Sequence, residues 1–89
     1  ELRSEQMRML EALRLRVREL DLMEQSYKVR KARHRSTEID FEEGRITNAE
    51  YQADRLQLDS LEVQRDEALV DVLLGFSDYD SFTRMVAQH

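Results

Sequence analysis

Residues 41 to 51 read Phe41-Glu42-Glu43-Gly44-Arg45-Ile46-Thr47-Asn48-Ala49-Glu50-Tyr51, and here a long helical pattern must stop and restart. Gly44 has no Cβ, so it can take the left-handed conformation that closes a helix. Thr47 and Glu50 stand at the T-x-x-E spacing of a capping box. In that motif the threonine hydroxyl accepts from the Glu50 N–H and the carboxylate reaches back to the Thr47 N–H. Ile46 before the cap and Tyr51 in the first turn have the spacing of a hydrophobic staple, which sets the angle of entry into the second helix. The turn is therefore short, over 44–47, and the flanking helices are expected to lie antiparallel.

Composition supports helices on both sides of that turn. The 89 residues are 40% hydrophobic and 37% charged, with no proline and two glycines, Gly44 and Gly75, and the mean hydropathy is -0.72. Leu, Glu, Arg, Gln and Ala dominate, all good helix formers. A chain this small and polar makes at most one domain with a thin core. No apolar run approaches the roughly 18 residues of a membrane-spanning helix, and no leader or lipidation motif is visible. A start at Glu1 is expected of a processed protein or an excised segment. The absence of cysteine excludes disulfides and thiolate metal sites. The net charge of -5 sits in the second half, since residues 1–43 balance and residues 44–89 carry the acidic excess.

In the first arm Leu10, Leu13, Val17, Leu20, Met23 and Tyr27 follow spacings of three and four, the stripe of a helix packed along one side. The stripe continues through Arg30, His34 and Phe41, so apolar content falls toward the turn. Leu2, Met7, Met9, Leu15 and Leu22 lie beside or off it and imply a second neighbour. His34 is read as a packing histidine, because no second histidine stands one turn away; His89 is remote. Lys28, Arg30, Lys31, Arg33 and Arg35 form a basic run. Folding the chain about the turn places it opposite Asp54, Asp59, Glu62 and Asp66, so the charge is expected to be answered within the molecule and no nucleic-acid partner is expected.

The second arm holds three apolar sets at sevenfold or related spacing: Ala49, Leu56, Val63 and Val70; Leu61 and Ala68; Tyr51, Leu58 and Val72. They lie on adjoining faces, so this helix also expects more than one neighbour. Gly75 and Ser77-x-x-Asp80 mark a second break, with Tyr79, Phe82 and Val86 lining a terminal helix and Phe76 packed between the arms. The alternative is a helix that runs on through Gly75. The fold class is all-α: an antiparallel two-helix coiled-coil hairpin with a short C-terminal helical extension. Its parts are a first helix over 1–43, a turn over 44–47, a second helix over 48–74, and a break with a terminal helix over 75–89.

No Ser/His/Asp or Cys/His set, phosphate loop, zinc motif or calcium loop is present. The sequence gives no catalytic, cofactor-binding or metal-ligating residue, and nothing argues for an enzyme.

The turn and the helix after it resemble the TolC-like outer-membrane efflux channel family over roughly residues 24–75. That family carries an aromatic residue, a glycine three positions on, a Ser/Thr three later and an acidic residue three beyond, then spaced Leu and Ala. Phe41, Gly44, Thr47 and Glu50 match, followed by Leu58, Ala68 and Leu73-Leu74. Gln52 and Asp54 stand where the family has Leu and Ala, and Leu61 where it has a small residue. The resemblance implies one of two periplasmic hairpins per protomer of a Gram-negative outer-membrane protein. Three protomers would form a hollow α-helical barrel, and strands outside this chain would cross the membrane. It also implies that Gly44, Arg45 and Ile46 form the tip that meets a periplasmic adaptor protein, with other copies of the hairpin as lateral partners. Helical pattern alone equally allows an antiparallel coiled-coil scaffold or the hairpin of an adaptor protein.

Overall fold

The computed structural model of the chain describes residues 1–88; His89 lies outside the described residues. Two helices, α1 (Leu2–Glu42) and α2 (Asn48–Ala87), pack antiparallel along their whole length. Together they make a rod of 67 × 14 × 13 Å. Among the described residues there is no strand, and neither helix has a stretch apolar enough to cross a membrane.

The contact between the helices is a heptad seam. On α2 the residues withdrawn from solvent recur at alternating intervals of four and three: Tyr51, Asp54, Leu58, Leu61, Arg65, Ala68, Val72, then Gly75, Tyr79, Phe82 and Val86. On α1, Leu13, Leu20, Tyr27 and His34 follow at intervals of seven, with Met23 and Arg30 between them and Met9 and Thr37 continuing the repeat at either end. Such a 3-4 repeat keeps one face of each helix against the other if both coil gently around a common axis. Of the three apolar sets on α2, the seam takes the two that contain Leu58 and Val72 and Leu61 and Ala68. The third is left outside: Leu56 is 68% exposed, with Val63 and Val70 also exposed.

Three expectations need correction. The helix does not break at Gly75, and the 75–89 extension is simply the continuation of α2 to Ala87. Position 75 falls on the seam, where a Cβ would stand 3.0 Å from an Arg16 guanidinium nitrogen and 3.1 Å from Leu13 Cδ1. The glycine thus permits close approach of α1, and Tyr79, Phe82 and Val86 continue the seam beyond it. Packing on both sides outweighs the cost of about 1 kcal/mol for a glycine inside a helix. Phe76, one residue further round, is exposed beside a groove with Leu10, Leu13 and Val17 rather than packed between the arms. Val17 is likewise exposed. Arg16 holds the corresponding seam position, its Cδ against Gly75 and its guanidinium donating to the Asp71 carbonyl at 3.2 Å.

The core is thin. Leu13, Leu58, Ala68 and Val72 are its only buried apolar residues among those described, each retaining some exposure, and the one buried polar residue with them is His34. The rod exposes 6904 Å², whereas a compact monomer of its 10.6 kDa mass would expose about 5,500 Å².

Candidate functional site

The end of the rod at the turn is built by backbone hydrogen bonds first. The Arg45 N–H donates to the Asp40 carbonyl at 2.8 Å and the Gly44 N–H to the Phe41 carbonyl at 3.1 Å, while Glu43 completes the last turn on Ile39. This pair of bonds is the Schellman closure of a helix, and it requires the left-handed residue that Gly44 supplies at φ +73°. In the usual form of that closure, apolar side chains meet across it. Here the meeting is ionic: Arg45 reaches Asp40 at 3.1 Å and also pairs with Glu43. The guanidinium is held in place yet remains 65% exposed. Gly44 has open space around it, and Ile46 is half-buried beside them.

Thr47 caps α2, its hydroxyl accepting from the Glu50 N–H at 3.1 Å. The return half of the expected capping box differs, because the Glu50 carboxylate accepts from the Thr47 hydroxyl at 3.2 Å rather than from the Thr47 N–H. Tyr51 stacks on Phe41 with ring centroids 4.6 Å apart and lies 5.6 Å from the His34 ring. Entry into α2 is therefore fixed by an aromatic stack across the seam. Tyr51 thus meets Phe41, where the sequence pattern pairs it with Ile46 in a hydrophobic staple.

Directly behind that stack lies a polar cluster that sequence reasoning did not assemble. Asp54 accepts from Arg30 at 2.6 Å on one oxygen and from His34 Nδ1 at 2.6 Å on the other. Arg30 also bonds Gln57. The His34 hydrogen bond holds the Asp54 carboxyl below the usual range; burial opposes that shift and the Arg30 charge reinforces it. Glu38 Oε1 stands 3.3 Å from His34 Nε2, which is buried and lacks an aligned partner, as does Arg30 Nε. The signal for this cluster was present in the sequence. Counting 3-4 intervals outward from Tyr51 puts Asp54 on the seam, opposite the Arg30 and His34 positions that break the stripe of α1.

The basic run is answered less completely than its position across from α2 implies. Arg30 and His34 find Asp54, and Lys31 lies 5.7 Å from the Tyr27 ring. Arg65 from α2 also lies over that ring, its guanidinium carbon 4.3 Å from the centroid. Among the described residues Lys28, Arg33 and Arg35 form no ion pair. No three acidic, histidine or cysteine side chains among those described come together to hold a metal ion. Comparison with family models, curated proteins and solved structures finds no match for the chain. The geometry at the turn is suited to contact: a rigid cap, one fixed exposed cation and a small apolar shoulder.

Proposed function

We propose that this hairpin is a wall segment of a TolC-like efflux channel of the outer membrane, with its turn docking a periplasmic adaptor protein. The observation that carries the reading is the pair of apolar rows facing away from the seam. On α2 the row Leu56, Val63 and Val70 lies almost opposite α1; on α1 the row Leu15, Leu22 and Val29 also faces outward, all six residues being exposed. A free hairpin has no use for them, whereas a hairpin set between two others in a wall buries both.

The flanks of the rod add support. One flank carries Glu19, Ser26, Arg33, Gln57, Gln64 and Asp71, all exposed, which suits a water-filled bore. Hairpins with a common polarity would bring their Gly44-Arg45-Ile46 tips to one end, where an adaptor could meet several at once. Such a wall performs no chemistry of its own; it encloses a path and presents a docking rim.

The test is made in cells that depend on the protein for export. Arg45→Glu reverses the one fixed tip cation, and Gly44→Val both fills the open space and disfavours the left-handed turn. Each is expected to sensitise cells to exported compounds while the protein remains at its normal level and in its normal oligomer. Undiminished resistance in both strains refutes tip docking.

A further inference from the structure

We infer that the groove beside Phe76 binds a free single-chain carboxylate amphiphile, with its tail along Leu10, Leu13 and Val17 and its headgroup at Arg14 and Arg18. The site is independent of the wall reading. Counted around α1 at about 100° per residue, it lies on the flank opposite Ser26 and Arg33, and it uses neither the outer rows nor the turn.

The groove has a volume of about 630 Å³ and follows α1 from Leu10 to Asp21, with a single residue of α2, Phe76, as its facing wall. Leu13 is the buried floor and Leu10 is half-buried, whereas Val17 is 43% exposed and Phe76 53%. Apolar surface is therefore left in water on both sides of the floor, and covering it is favourable. Size selects a thin occupant. From Leu10 to Arg18 the helix rises about 12 Å, the reach of an extended acyl chain of roughly ten carbons. A helix is about 10–12 Å across with its side chains, and it cannot interdigitate with a wall that is one aromatic ring.

Charge selects the sign of the headgroup. Arg14 and Arg18 stand one turn apart on the rim, both exposed, and form no ion pair among the described residues. Arg16, between them in sequence, is engaged with the Asp71 carbonyl. Asp21, the one acid lining the groove, sits beyond Arg18 toward the turn and already accepts from Gln25 at 2.9 Å. The rim of the apolar section thus holds two cations and no anion. Guanidiniums at i and i+4 are neighbours on a helix surface and can share one carboxylate, each donating an N–H to it. An apolar tail with an anionic head meets both halves of the groove; a cationic head is repelled at the rim.

The experiment titrates the purified 89-residue chain with decanoate or with decyltrimethylammonium, both kept monomeric, reading heat by calorimetry and location by amide NMR shifts. Decanoate is expected to saturate, to move the amides around Leu10 to Arg18 and Phe76, and to bind about tenfold more tightly than the cation. Arg14→Glu combined with Arg18→Glu is expected to reverse that preference, and Phe76→Ser to weaken decanoate about tenfold. All three positions are exposed, so circular dichroism should show helicity retained. Leu15→Gln, on the outer row, is expected to leave binding unchanged. The inference is overturned if anion and cation bind alike, if the charge-reversed chain still prefers decanoate, if Leu15→Gln weakens binding as much as Phe76→Ser, or if decanoate does not saturate. Binding to phosphatidylglycerol vesicles without binding to decanoate also overturns it, because the ligand is then a membrane surface.

Discussion

Replacing Asp54 by alanine separates two accounts of the polar cluster. If Asp54 merely decorates the surface, its loss shifts stability by less than about 1 kcal/mol, as for exposed ion pairs. The structure places it otherwise. Its side chain is 15% exposed, that of His34 3% and that of Arg30 23%, and it supplies the acceptor for both. Alanine leaves His34 Nδ1 without an acceptor in a site that cannot admit water freely, and leaves Arg30 with Gln57 alone. Breaking a buried pair from one side costs about 3–5 kcal/mol; the remaining Gln57 bond and the partial exposure of Arg30 place this case near the lower figure. For a chain of this length total stability is on the order of 4–13 kcal/mol, so the variant should melt far earlier. Replacing Arg30, His34 and Asp54 together by leucine removes the three charge-bearing groups of the cluster at once and is expected to equal or exceed the original stability. Urea unfolding followed by circular dichroism, at matched chain concentrations because association would add to stability, measures both. A loss under 1 kcal/mol for Asp54→Ala, or a triple variant less stable than the single one, would refute the reasoning.

The same carboxylate sets an acid response. Its value is depressed in the folded chain, so its stabilising contribution is fully present above the ordinary 3.8 and disappears as pH falls through the lower folded value. Asp54→Asn should flatten that part of the stability curve in an acid titration. Gly44→Ala should cost about 1–2 kcal/mol from its left-handed φ alone, since nothing lies near the added methyl; thermal unfolding reads this directly. Gly75→Leu should be more damaging than Gly75→Ala, because the added bulk must displace Leu13 and the Arg16 stem. Equal melting temperatures for those two variants would show that α1 does not approach closely there.

The turn was legible because its determinants are local. A glycine free to take positive φ, a threonine three positions on and an acidic residue after it act within one turn of helix, so spacing alone located both helix ends to within a residue. The capping box departs from its sequence signature only in the donor that the Glu50 carboxylate meets, which depends on rotamer and not on sequence. Gly75 was harder for the opposite reason. Locally it looks like a helix end, and it is retained within α2 because of what lies across from it.

Sequence by itself determined that this chain forms two helices joined at Gly44, because periodicity and capping are properties of neighbours along the backbone. It also showed that more apolar faces exist than one partner helix can cover. Only the tertiary structure decided which face became the seam, and with it the fate of everything else: Leu58 and Val72 inward, Leu56 and Val63 outward, and Arg30 and His34 gathered around the Asp54 carboxylate. The physical reason is that three apolar sets on α2 were nearly equivalent as a helical pattern. Antiparallel register against α1, with room for close approach at Gly75, broke the tie.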